Sequence, residues 1–334
     1  MPSTRALLAY AQVGKAGAGM GEILTLTGPI YLAIATGYVL VRIGLIRASG
    51  MSALGGFVIN VALPALLFSV LSTRRLGDIA SPTYAVAYAI AGLTSFGLVW
   101  VFARRVEGCD ATAAAFHGMG ASCPNSGFVG FPMLTLALPS IAGVAFGLNL
   151  IVENLLLVPL VLTLAERGSG QFVSMRAEVL GTLGRLAKTP LIIAVVLGVV
   201  VSGLKLNTPA VVSSVVDLFA KASTGVALFA VGGLLVGVSV KGMIRPLAVI
   251  TAAKLLVQPL VAWAALAGLV ALGMPQLAPE LRAALILSAG VPVITVYPVL
   301  AQRFGQERLA SAALLSSTAL SFVTLSGLLA VLHV

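Results

Sequence analysis

The chain has 334 residues, 59% of them hydrophobic and 9% charged, with a mean hydropathy of +1.10 and a formal charge of +10. A soluble globular chain carries about a quarter charged residues, so this composition excludes one and points to an integral membrane protein. The basic residues are scattered in ones and twos between apolar stretches without aromatic interleaving, which excludes a nucleic-acid surface and leaves topology signalling as their role.

Residues 1–22 hold Arg5 and the short apolar run ALLAYA. They read as a signal peptide at the short limit, as an N-terminal tail, or as sequence upstream of a true start at Met20. Beyond them, apolar intervals predict ten transmembrane helices, centred near residues 33, 60, 92, 124, 152, 197, 228, 258, 292 and 320. The first holds Pro29-Ile-Tyr-Leu-Ala-Ile-Ala-Thr-Gly37. In the second, Asn60 stands just before Pro64, where substrate contact and an interhelical hydrogen bond are both open readings.

The fourth span lies in a run of 42 residues, Ala111 to Val152, without Asp, Glu, Lys or Arg. Its middle reads SCPNSGFVGFP, Ser122 to Pro132. Proline removes a helix hydrogen bond and glycine weakens the helix, so this stretch predicts a break at a depth where unpaired backbone groups are costly. His117, two turns earlier, can relay protons or bond a neighbouring backbone. Cys109 and Cys123 show no disulfide or metal spacing and read as structural; no metal is expected.

Glu153 and Asn154 follow within the fifth span, where a carboxylate is costly and functional by default. A structural buried pair and a protonated spectator are the competing readings. The stretch 166–188 mixes glycine, serine and charges, and predicts a cytoplasmic linker between two halves, 23–165 and 189–334. Lys221 follows Asp217 by four residues, the spacing of a helical ion pair, with substrate contact as the alternative. Lys254, about 13 Å inside the eighth span at 1.5 Å per residue, can snorkel or pair with Glu153. Gln258 reads as interhelical glue.

Pro190-Leu-Ile-Ile-Ala-Val-Val-Leu-Gly198 repeats the P-x-x-x-A-x-x-x-G of Pro29 to Gly37 at a separation of 161, and Leu67-Phe68 returns as Leu228-Phe229 at the same separation. Two five-helix halves make an inverted repeat, which requires a second broken span. SAGVPVITVYP, Ser288 to Pro298, supplies it, with Pro292 lying 168 residues after Pro124. If the breaks cross near the midplane, two half-helix N-termini, each with about half a positive charge, converge as an anion site. Asn125 and Ser126 offer donors and acceptors there, Gly127 and Gly130 allow close backbone approach, and Thr295 and Tyr297 stand at the second break. Two kinked, packed helices are the simpler reading, which the symmetry of the pair weakens.

The motifs NVALPALLFSVLS (Asn60 to Ser72), PNSGFVGFP (Pro124 to Pro132), GVALFAVGG (Gly225 to Gly233) and GVPVITVYPVLAQRFG, followed by LASAALLSSTALS, resemble the auxin efflux carrier family over residues 20 to 334. Its bacterial members look like permeases for malate or malonate. The resemblance implies a fold like that of bile-acid and sodium symporters, with helices 1, 2, 6 and 7 in a panel, the rest in a core, and broken helices 4 and 9 crossed. It implies that Pro124, Asn125 and Pro292 are crossover residues. Tyr297-Pro298 departs from the pattern. By analogy with that fold, Glu153, Asn154 and Lys254 are candidates for Na⁺ or H⁺ coupling.

The expected function is secondary-active transport of a small carboxylate at a site of Asn60, Pro124, Asn125, Ser126, Gly127, Pro292 and Thr295. An ion-coupled symporter of another amphipathic anion and an anion channel are the alternatives. No H-E-x-x-H or G-x-S-x-G motif occurs and only two histidines are present, so an enzyme is not expected. No organic cofactor is expected either. Expected partners are the carboxylate, the bilayer and a second copy in a homodimer. Twelve Lys and Arg on one face against six on the other predict an inner-membrane protein with both termini extracytoplasmic.

Overall fold

The computed structural model describes residues 20–73, 81–170, 181, 184 and 188–333. Most of the expected tail over 1–22 and linker over 166–188 lies outside the described residues, as do Arg5, Lys15, Arg74, Arg75, Arg176 and Arg185 of the charge count. Among the described residues the chain is all-helical. Its elements are α1 (Met20–Arg42), α2 (Ala48–Ser72), α3 (Pro82–Arg105), α4a (Ala111–Ser122), α4b (Ser126–Ala137), α5 (Ala142–Gly168), α6 (Pro190–Gly203), α7 (Ala210–Leu234), α8 (Ile244–Ala271), α9a (Pro279–Gly290), α9b (Tyr297–Gln302) and α10 (Glu307–Leu332). Seven of these, α1, α2, α3, α5, α7, α8 and α10, are long and apolar enough to cross a membrane.

Local sequence explains where helices begin. Ser81 caps α3, its Oγ accepting from Tyr84 N at 3.4 Å with Pro82 in the first turn. Asp110 caps α4a, its carboxylate accepting from Ala113 N at 2.7 Å. Such caps satisfy N–H groups that have no partner in the first turn.

Among the described residues four helices contain a five-residue π-turn, and each turn ends two residues before a proline. The turns are Val58–Ala62 before Pro64, Ser126–Gly130 before Pro132, Glu153–Leu157 before Pro159 and Ala253–Val257 before Pro259. Proline cannot donate, and its ring collides with the carbonyl four residues back. The residue before each proline therefore bonds five residues back: Leu63 N to Val58 O, Phe131 N to Ser126 O, Val158 N to Glu153 O and Gln258 N to Ala253 O. The wide turn keeps the helix going and frees neighbouring backbone and side chains to face the interior.

Packing groups α1 and α2 with α6 and α7, and groups α3, α4, α5, α8, α9 and α10 separately. In the first group a Cβ on Gly37 of α1 would lie 2.0 Å from the Phe229 carbonyl oxygen of α7, and one on Gly198 of α6 would lie 2.9 Å from Leu71 Cβ and 3.4 Å from the Phe68 carbonyl oxygen of α2. The two glycines of the sequence repeat thus press on the two phenylalanines of the repeat. Tyr31 of α1 bonds Ser321 of α10 at 2.8 Å, joining the groups.

Candidate functional site

The chain leaves helical geometry between α4a and α4b and again between α9a and α9b. The two breaks meet as an isolated antiparallel bridge, Pro124 with Val293. Asn125 N donates to Pro292 O at 2.7 Å and Ile294 N donates to Cys123 O at 2.9 Å. Each break therefore satisfies backbone groups of the other, which removes much of the cost of unpaired amides in a dry interior. Val293 N donates to Ser317 Oγ of α10 at 3.2 Å.

The breaks thus engage the N–H groups of Asn125, Val293 and Ile294 in holding each other and α10. The Asn125 side chain is engaged too. Its Nδ2 donates to Thr295 Oγ1 at 2.6 Å, and its Oδ1 accepts from Phe128 N at 3.4 Å as the cap of α4b. Nδ2 thus ties the two breaks together while Oδ1 caps α4b, and the residue is 1% exposed. Gly127 lies against α2, where a Cβ would come within 3.1 Å of Leu63 Cδ1.

Glu153, in the π-turn of α5, sits beside the first break. Its Oε1 accepts from Ser126 Oγ and, at 2.7 Å, from Tyr88 OH of α3. One turn away, Tyr84 OH donates to Asn149 Oδ1 at 2.9 Å and to Ser288 Oγ of α9a at 3.4 Å, and the two tyrosine rings stack with centroids 6.1 Å apart. A polar seam of hydroxyls and one carboxylate thus runs from α3 through α4b and α5 to α9a.

Lys254, in the π-turn of α8, is fully buried and donates from Nζ to Ala289 O at 2.6 Å. That carbonyl belongs to the last turn of α9a, where helix carbonyls lack partners and the dipole is negative. Neither earlier reading of Lys254 holds: it does not snorkel, and no salt bridge joins it to Glu153. Nζ finds its hydrogen-bond acceptor at a helix end instead. Gln258 Nε2 donates to Ser122 O at 3.0 Å and so caps the end of α4a, as interhelical glue should.

The remaining polar candidates stand apart. Asn154 donates to Leu150 O of its own helix at 2.9 Å and shares none of Glu153's partners. Asn60 is exposed and donates to Gly56 O at 2.8 Å, a bond within α2 rather than the interhelical one. Asp217 accepts from Ser69 of α2 at 3.0 Å and forms no ion pair with Lys221, which is exposed. Tyr297 OH donates to Phe116 O at 2.6 Å, so the departure at Tyr297-Pro298 packs as the short helix α9b.

A cavity of about 420 Å³ lies between the two helix groups, lined by Met51, Gly55 and Leu234 on one side and by Phe128, Thr295 and Leu314 on the other. Thr295 is both a wall of this cavity and the partner of Asn125, which connects the opening to the crossing.

Sequence reasoning singled out Asn60, Ser126, Gly127, Glu153, Asn154 and Lys254 from their depth or motif. All six lie in π-turns, a feature it did not foresee. The signal was available as a mid-span proline with a polar residue four to six positions before it. Tyr84, Tyr88, Asn149 and Ser288 were missed, because tyrosine and serine in apolar helices are common and only the fold brings them to Glu153.

Residues 23–329 match the profile of a family described as membrane transport protein. The chain is 29% identical over 315 residues to the "Putative malonate transporter" of Rhizobium meliloti (strain 1021), covering 93% of this chain and 96% of that protein. It is 27% identical over 216 residues to the "Uncharacterized transporter YfdV" of Escherichia coli (strain K12), covering 64% and 67%, and 32% identical over 115 residues to an "Uncharacterized transporter" of Methanothermobacter thermautotrophicus, covering 34% and 37%. The chain is a multi-pass membrane protein, not an enzyme, and belongs to the membrane transport protein family, that of the auxin efflux carriers.

Proposed function

We propose that the chain is a secondary-active carrier of a small dicarboxylate such as malonate, with its site where the cavity meets the crossing. The observation that carries this reading is Thr295, which lines the cavity and holds Asn125 of the opposite break. A volume of about 420 Å³ lies within the range of about 300–1,000 Å³ typical of small-ligand sites. The name of the Rhizobium relative supports the substrate class.

Adding the two interrupted pairs and the 14-residue α6 to the seven long helices gives ten crossings, read as two inverted halves. The reciprocal packing of Gly37 on Phe229 and Gly198 on Phe68 supports that reading, since both pairs are related by the repeat separation. Met51, Leu234 and Leu314 stand near the helix ends that carry Arg42, Arg47, Lys241, Arg245 and Arg308. That basic face is cytoplasmic by the positive-inside rule, so both termini are extracytoplasmic and the cavity faces the cytoplasm. A cluster of basic helix ends also raises the local concentration of anions.

Coupling is assigned to a proton at Glu153. The carboxylate touches Ser126 of the break itself, so its charge state bears directly on the crossing. Lys254 Nζ already occupies the carbonyl end of α9a as a donor, where a sodium ion would otherwise find its oxygens. The test is uptake of radiolabelled malonate into proteoliposomes under imposed pH or Na⁺ gradients. Saturable uptake driven by the pH gradient is expected. Uptake driven only by Na⁺ overturns the coupling, and no saturable carboxylate uptake overturns the function.

A further inference from the structure

At the end of the core opposite the crossing, the connection from α3 to α4a folds Glu107 and Cys109 back against His117 of α4a. One ligand atom from each of the three lies within 4.8 Å of the others. The connection is held in place: Arg104 donates to Cys109 O at 2.8 Å, Cys109 N donates to Ala103 O at 3.0 Å, and Asp110 caps the helix that follows.

His117 Nδ1 lies 2.8 Å from Ala113 O. A carbonyl oxygen can only accept, so Nδ1 carries the hydrogen, and in the neutral ring Nε2 presents a lone pair. That nitrogen lies 3.3 Å from Glu107 Oε2, with both side chains about nine-tenths buried. Two acceptors facing each other need a cation between them, either a proton on the ring or a metal ion. Glu107 Oε1 adds a second demand, because it is buried and without a hydrogen-bond partner.

We propose that Glu107, Cys109 and His117 form a binding site for a zinc-class divalent cation. A backbone carbonyl orienting Nδ1 so that Nε2 can ligate is the usual support of a metal-binding histidine. At zinc bond lengths of about 2.0–2.1 Å to nitrogen and oxygen, a tetrahedral edge is about 3.3 Å, the separation that Nε2 and Oε2 already have. The Cys109 sulfur, within 4.8 Å of both other ligand atoms, would take the third position, and water the fourth. The ion would tie the α3–α4a connection to the helix that leads, seven residues after His117, into the break at Pro124. This site shares no residue with the proposed transport site and does not depend on it.

The experiment uses purified full-length protein, stripped with chelator and titrated with Co²⁺. One equivalent per chain is expected, with the near-ultraviolet charge-transfer band of a cobalt thiolate, displaced by Zn²⁺. Cys109→Ser should abolish the band, His117→Gln should weaken binding at least about tenfold, and Cys123→Ser, which alters the chain's other cysteine, should leave the band unchanged. A wild-type protein without the band at saturating Co²⁺, or a band that survives Cys109→Ser, overturns the proposal. In either case the Glu107–His117 contact is an ion pair with a protonated ring.

Discussion

Lys254 Nζ donates to the Ala289 carbonyl oxygen at 2.6 Å, so a buried lysine on one helix terminates the broken helix beside it. Losing this donor leaves a carbonyl unpaired in a dry site, at a cost of about 1–3 kcal/mol. Lys254→Met keeps the side chain's length and removes the donor. The expected result is a lower melting temperature of the purified protein and loss of uptake. An unchanged melting temperature would mean that the α9a end finds another partner and that Lys254 is dispensable to the fold.

Glu153 accepts from Ser126 and Tyr88, and both donors remain useful to a neutral amide oxygen. Glu153→Gln should therefore fold and bind carboxylate while losing the response of uptake to an imposed pH gradient. Tyr88→Phe, which removes one donor, should retain that response and shift it. Uptake by Glu153→Gln that still follows the pH gradient would remove Glu153 from coupling and leave it a structural tie between α5 and α4b.

Much of this architecture was legible in the chain, for particular reasons. Composition gave the membrane, and the spacing of Pro124 and Pro292 gave two breaks, because proline's lack of an N–H is a local property. What the two breaks do to each other was not legible. The sequence shows that N–H groups are freed, but only the fold shows Asn125 N on Pro292 O and Ile294 N on Cys123 O. Lys254 illustrates the same limit. Charge suggested an acid as its partner, whereas the partner is a backbone carbonyl, which every residue has and no sequence marks.

The close approach of α1 and α7 rests on glycine. A Cβ on Gly232 would lie 1.8 Å from the Ile34 carbonyl oxygen, whereas one on Gly225 of the same helix meets nothing within 4 Å. Gly232→Ala should destabilise by about 1–3 kcal/mol through overpacking. Gly225→Ala should be neutral or stabilise by about 0.5–1 kcal/mol, because alanine costs less entropy in a helix. Thermal unfolding of the two variants checks this, and equal behaviour would show that α1 and α7 do not pack as described.

The topology has a direct check in the connections on either side of α7. Reporter insertions in the stretch between Gly203 and Ala210 should be active only outside the cytoplasm, and insertions between Leu234 and Ile244, beside Lys241, only inside. The opposite pattern would reverse the orientation and place the cavity mouth on the extracytoplasmic side.

Asn125 Nδ2 and Thr295 Oγ1, at 2.6 Å, join the two breaks across 170 residues of sequence. Asn125→Ala removes this bond and also the cap on Phe128 N, so it should lower both uptake and stability. Thr295→Val removes the acceptor alone, keeps the side chain's shape in the cavity wall, and should cost less. If the pair acts as a unit, the double variant should lose less than the sum of the single losses, with a coupling of about 0.5–3 kcal/mol. The cycle is to be read twice, as melting temperature and as carboxylate affinity, on monodisperse protein. Coupling in both readouts means that the bond sets the geometry of the site. Coupling in stability alone would mean that the crossing is a scaffold and that the carboxylate is held elsewhere along the cavity. Strict additivity in both would mean that the two residues act separately, and the link from break to cavity would then fail.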